Sequence, residues 1–161
     1  MSPASRSERS TIEGMLDPYL RELSTYREVR VGPVDAAAYA YLEDYWTDPN
    51  RFPFLIWQGD LIVGFALLRR FASEDPPRMQ MAEFYIAPCH RREGIGQAAA
   101  AAFFERFPGP WELETQIRNE AAIDFWTRCI KRTADDSSSI EEFEASDGRR
   151  LRFRFHVGPA A

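Results

Sequence analysis

The sequence predicts a single α/β (α+β) domain, and three observations carry that prediction. The chain has 161 residues, a length that suits one domain with its own core. Hydrophobic residues make up 45% and charged residues 28%, the balance of a globular chain rather than a disordered one. Helical and strand-like segments alternate in the order α-β-α-β-β-β-α-β-α-β-β, about seven strands and about four helices.

Each element has its own local signal. Residues 1–10 are polar and read as a disordered tail, so the domain proper runs from 11 to 161. Ile12, Met15, Leu16, Tyr19, Leu20 and Leu23 recur at helical spacing and predict a helix over 11–25. Pro18 either kinks it or opens a second segment capped by Asp17. Tyr26 to Val31 reads as a short strand. Asp35 reads as the cap of a helix from Ala36 to Trp46, which stops before Asp48-Pro49.

Two apolar runs, 52–58 and 61–68, flank Gly59-Asp60 and predict a hairpin. A polar, Pro-rich loop (73–78) leads into a strand from Met79 to Ile86. A Gly-containing turn (91–96) precedes an Ala-rich helix (97–107), and Pro108-Gly109-Pro110 breaks it. Then come a strand (111–116), a helix (119–131) and a final pair of strands (140–145 and 149–157). For that pair, a three-residue loop over Ser146, Asp147 and Gly148 is expected. It would set Glu144 against Arg150, Glu142 against Arg152 and Phe143 against Leu151.

Charge narrows the partners. The chain has 20 Lys+Arg against 25 Asp+Glu, a formal charge of −5. That argues against a nucleic-acid binder acting through bulk charge and favours a cationic amine. Two cysteines, Cys89 and Cys129, make no disulfide framework. The first ten residues lack the apolar core of a secretory leader, and the longest apolar runs are too short to span a bilayer. A cytoplasmic protein with no membrane partner is expected.

The informative segment is Arg91-Arg92-Glu93-Gly94-Ile95-Gly96, between a strand and a helix. Its glycines allow a tight turn, and the free N–H groups at the helix start favour an anion such as a pyrophosphate. Arg91 and Arg92 add positive charge. The segment is neither a Walker loop nor the three-glycine dinucleotide fingerprint. Alone it also reads as a tight turn with solvated arginines.

In context the chain resembles the Gcn5-related N-acetyltransferase (GNAT) family. The resemblance rests on Phe84-Tyr85-Ile86-Ala87-Pro88 before the turn and Gln97 opening the helix after it. It extends to Asn119-Glu120-Ala121-Ala122-Ile123-Asp124-Phe125-Trp126, which is similar to the family's Asn-x-x-Ala-x-x-Phe-Tyr helix start. The segments 41–46, 52–56 and 64–67 are similar to a branch of predicted bacterial acetyltransferases.

The resemblance implies a GNAT-like fold with a mixed, mostly antiparallel sheet and acetyl-CoA as cosubstrate, with no metal. It also implies that Phe84, Tyr85 and Ile86 line the pantetheine arm, that Arg91 to Gln97 hold the pyrophosphate, and that Asn119 and Trp126 border the cofactor. Asn119 equally suits a helix N-cap. The implied reaction is acetyl transfer to a small-molecule or peptide amine in a ternary complex, by a monomer or homodimer. A silent acyl-CoA-binding module and a longer acyl donor are the alternatives.

Glu83 occupies the position where related enzymes carry a base, although an ion-paired strand carboxylate reads as well. The family's usual acid is a Tyr where this chain has Trp126, and an indole N–H is no acid at neutral pH. Tyr41 and Tyr45, with Tyr39 and Trp46, either line the acceptor site or pack in the core. No Cys-His-Asp arrangement supports a nucleophilic cysteine. Arg150, Arg152 and Arg154 make one strand face basic, with Glu142 and Glu144 as the expected partners.

Overall fold

The two apolar runs flanking Gly59-Asp60 fold into a long hairpin at the heart of a seven-stranded mixed sheet. The computed structural model describes residues 1–159. Its strands are β1 (Ser2–Pro3), β2 (Arg51–Gln58), β3 (Leu61–Phe71), β4 (Arg78–Ile86), β5 (Gly109–Gln116), β6 (Ser139–Ala145) and β7 (Gly148–Val157). They lie in the order β1-β2-β3-β4-β5-β7-β6. Every pairing is antiparallel except β4 with β5. That parallel pair is joined through a helix, as parallel neighbours require.

Strand alternation sends side chains to two cores. Phe54, Ala66 and Leu68 meet α3 (Ile95–Arg106) and α4 (Glu120–Thr133) on one face. Leu55, Phe65 and Leu67 meet α1 (Arg9–Ser24) and the short α2 (Asp44–Thr47) on the other. Ile12 and Leu16 of α1 are fully buried there. Among the described residues, no helix is long and apolar enough to cross a membrane.

Several expectations are corrected. The tail is not free, because Ser2 and Pro3 pair with Leu55 and Phe54, and Ala4 is buried. Of the two readings of Pro18, the second segment is excluded: Pro18 lies inside the continuous α1. Asp17 instead accepts the Ala36 N–H at 2.8 Å, joining α1 to the chain that follows it.

No strand forms over 26–31. The N–H groups of Glu28 and Val29 both bond the Asp147 carbonyl, at 2.9 and 3.0 Å, rather than a strand ladder. The helix expected over 36–46 is interrupted. Asp35 caps only a single turn, Ala36–Ala38, and Tyr39 is extended. Helix propensity loses there to burial of Leu42 and Tyr45 and to a Tyr39 hydrogen bond with the sheet.

The C-terminal loop holds two residues, not three. Ala145 pairs with Gly148, so Phe143 faces Arg150, Glu142 faces Leu151 and Glu141 faces Arg152. Glu28 decides this. A Cβ on Gly148 would lie 2.5 Å from the Glu28 Cβ, and φ is +118° there, so only glycine permits the approach. The arginine face is answered chiefly by β5: Arg152 meets Glu114 at 2.9 Å and Arg154 meets Glu112 at 3.0 Å. Arg152 also stacks over the Phe143 ring at 4.1 Å.

Candidate active site

The parallel pairing of β4 and β5 covers only Met79–Met81 against Trp111–Leu113. Beyond it the strands part, and the edge of β4 from Glu83 to Ile86 that faces β5 has no strand partner. A register shift places Leu67 against Glu83 but Leu68 against Met81, so Ala82 is an extra residue. Such a bulge bends its strand and re-aims the side chains beside it. The resulting cleft has a volume of about 1010 Å³ and is bounded by β4, β5, α1 and the first turns of α3 and α4.

Glu83 sits on the α1 side of this cleft. Tyr19 donates to one of its carboxylate oxygens at 2.6 Å and Tyr39 to the other at 2.9 Å. Burial raises the Glu83 pKa above its ordinary value of 4.5, and the two phenol hydrogen bonds and the charges of Arg150 and Arg27 oppose that rise. Burial and the adjacent carboxylate push both tyrosines upward, so they remain protonated donors.

On the opposite side, Phe84 stacks on Phe125 with centroids 5.7 Å apart and meets Trp126 edge-on at 5.1 Å. Trp126 is buried and forms a wall. Asn119 caps α4 by accepting the Ala122 N–H at 3.2 Å, and it also lines the cleft. The Thr115 hydroxyl, in the β5 wall, is buried without a hydrogen-bond partner.

The turn after β4 has the backbone expected of an anion cradle. Arg92 has φ 64° and Gly94 has φ 81°, and Gly94 immediately precedes α3. The first N–H groups of that helix have no intrahelical partners. Gly94 is required there by its left-handed backbone rather than by crowding, since nothing lies within 4 Å of its Cβ position.

The side chains of the turn divide. Arg91 donates to the Ile86 carbonyl at 2.7 Å and grips Glu22 through two hydrogen bonds of 2.8 and 2.7 Å. It ties α1 to the end of β4. Arg92 lines the cleft, as do Gly96 and Gln97, and Gln97 accepts from Arg132 at 3.1 Å. Glu93 accepts from Gln58 at 2.9 Å and Ile95 packs on the α3/α4 core, so neither side chain lines the cleft.

Tyr85 and Ile86 are buried at the cleft, Tyr85 under the Arg91 guanidinium at 5.6 Å. Tyr41 and Tyr45 are not part of the lining. Tyr41 is 61% exposed, and Tyr45 is buried with its pKa raised to about 12 by desolvation. Arg51 lies over both rings. With the 36–46 helix interrupted, Tyr39 turns inward in their place. Of the two residues that hydrogen-bond Glu83, the one missed outright is Tyr19, whose helical spacing reads only as core.

A parted sheet, a turn with unpaired N–H groups and a buried carboxylate beside the opening make a cleft suited to a long, anionic ligand. A model of the acetyltransferase (GNAT) family matches residues 18–129, and the chain belongs to that family. It is therefore an acyltransferase with acetyl-CoA as cosubstrate.

Solved structures share the fold. An acetyltransferase from Thermus thermophilus is 15% identical, covering 97% of this chain and 95% of that one, with a TM-score of 0.69. The spermidine N-acetyltransferase of Vibrio cholerae, in complex with CoA and spermine, is 14% identical over 96% and 94%, with a TM-score of 0.63. A phosphinothricin acetyltransferase from Sinorhizobium meliloti, in complex with AcCoA, is 12% identical over 98% and 87%, with a TM-score of 0.64. Comparison with curated proteins finds no match.

Proposed function

We propose that the chain is an N-acetyltransferase that moves an acetyl group from acetyl-CoA to a small-molecule or peptide amine, directly, in a ternary complex. The observation that carries this reading is Glu83, a desolvated carboxylate on the α1 side of the cleft that opens where β4 and β5 part.

The amine nitrogen attacks the thioester carbonyl carbon, so a C–N bond forms and the C–S bond breaks. Glu83 takes the proton that the nitrogen sheds, and the sulfur leaves as thiolate. A base whose pKa is raised above the ordinary carboxylate value suits that task. The free edge of β4 from Phe84 to Ile86 offers backbone groups to the pantetheine arm. The Arg92–Gly96 turn and Asn119 serve the phosphate end, and Trp126 packs against the thioester without giving a proton. Relatives in complex with CoA and AcCoA support the cosubstrate.

The test is thiol release from acetyl-CoA over a panel of amines, alongside thermal melting with CoA. Thiol release with at least one amine supports the reading. Stabilisation by CoA with no release from any amine points to a binding module. No stabilisation at millimolar CoA overturns the cofactor site.

A further inference from the structure

We propose that the acceptor is a hydrophobic monoamine, an amine on an aromatic or alkyl body with no second charge, received in a pocket walled by residues 25–35. The proposal rests on the acetyl-transfer reading and names the substrate class of that site.

The wall is a strap. It leaves α1 at Thr25, crosses to the β6–β7 turn, and returns to α1 where the Ala36 N–H meets Asp17. Glu28 accepts the Arg149 N–H at 2.8 Å and its guanidinium at 2.8 Å, beside the two bonds from the strap to the Asp147 carbonyl. Arg27 fills the inside of the strap. Its side chain is 6% exposed and donates to the Pro33 carbonyl at 2.6 Å. Tyr26 and Pro33 line the same cleft as Glu83.

Charge pairing then selects the ligand. Arg150 is held by Asp147 at 2.8 Å and Glu114 at 3.3 Å, and Arg27 lies 3.9 Å from Asp147. Glu22 is taken by Arg91 at 2.7 Å. Among the described residues lining this side, Glu83 is the acid without an ion-pair partner; its contacts are phenols. One ammonium group is therefore answered. Among the α1 and strap residues of the lining, a second ammonium finds no free carboxylate and a substrate carboxylate finds no free cation. The rest of the lining that α1, the strap and Tyr39 contribute is Tyr19, Leu20, Leu23, Tyr26, Pro33 and Tyr39, which suits an apolar body. A peptide chain would bring backbone N–H and C=O groups against these side chains, where each needs a partner.

The experiment uses CoA conjugates, which read the pocket without turnover. The sulfur of CoA carries a –CH2–C(=O)–NH– link to phenethylamine, to 1,4-diaminobutane or to the N-terminus of a tetrapeptide, and calorimetry gives each Kd. The phenethyl conjugate should bind at least about tenfold tighter than CoA, from burial of its ring, and the other two no tighter than CoA. The proposal is overturned if the phenethyl conjugate gains nothing, or if the diamine or peptide conjugate matches it. Failure of CoA itself to bind strikes the acetyl-transfer reading instead. Tyr26→Ala should cut the ratio of phenethyl conjugate to CoA affinity about fivefold or more. An unchanged ratio removes the strap from the pocket.

Discussion

Tyr19 donates to Glu83 across 64 positions of sequence at 2.6 Å, linking α1 to the parting point of the sheet. With Tyr39 on the other oxygen, the carboxylate has a set orientation. A hydrogen bond to the charged form lowers the pKa, so loss of either phenol must raise that of Glu83.

Tyr19→Phe and Tyr39→Phe should each move the acidic limb of kcat/KM to higher pH. In the proposed mechanism the active form is the carboxylate, and its pKa already lies above 4.5. The pH–rate profile with one good acceptor decides it. A limb that stays in place separates the phenols from the base.

Glu83→Gln should lower kcat/KM by about 10²–10⁴-fold for an aliphatic amine, the usual worth of general-base help. The loss should be smaller for an aryl amine, which is already neutral. Steady-state rates of wild type and variant with both amines test this, and an unchanged acidic limb would take Glu83 out of the mechanism.

Trp126→Phe should leave kcat within a few-fold of wild type, because the indole supplies no proton. Trp126→Ala should destabilise the fold by about 3–5 kcal/mol, since it removes a ring packed against Phe84 and Phe125. Urea denaturation gives the second value. A large kinetic loss in Trp126→Phe would show a role beyond packing.

Gly94→Val should abolish thermal stabilisation by CoA while leaving the cores intact. The β-branched side chain disfavours φ 81°, and with it the turn that presents the N–H groups. Melting curves with and without CoA report both effects.

The strap should loosen in acid. Hydrogen bonds from Arg149 depress the Glu28 pKa from 4.5 to about 2. A depressed carboxylate contributes stability above its unfolded pKa and loses it as pH falls through the folded one. The difference in Tm between wild type and Glu28→Gln should therefore be full above about pH 4.5 and vanish near pH 2. A difference that is constant with pH would refute this assignment.

Much of the molecule was legible locally. The hairpin around Gly59-Asp60, the turn before α3, the Asn119 cap and the position of Glu83 on β4 all follow from residues a few places apart. Periodicity and turn chemistry report such neighbours faithfully, because backbone geometry alone brings them together.

The tertiary structure decided the rest. The strand expected at 26–31 became a strap because the Asp147 carbonyl takes its N–H groups. The 36–46 helix broke where Tyr39 turned to Glu83, and the last hairpin shifted register where Glu28 meets Gly148. Arg91, in the position of a phosphate ligand, is held by Glu22 from 69 residues away. Each of these outcomes depends on a contact with no local sequence signature. The partners meet only in the folded tertiary arrangement, and there a buried or close hydrogen bond outweighs a helix or strand propensity of well under 1 kcal/mol per residue.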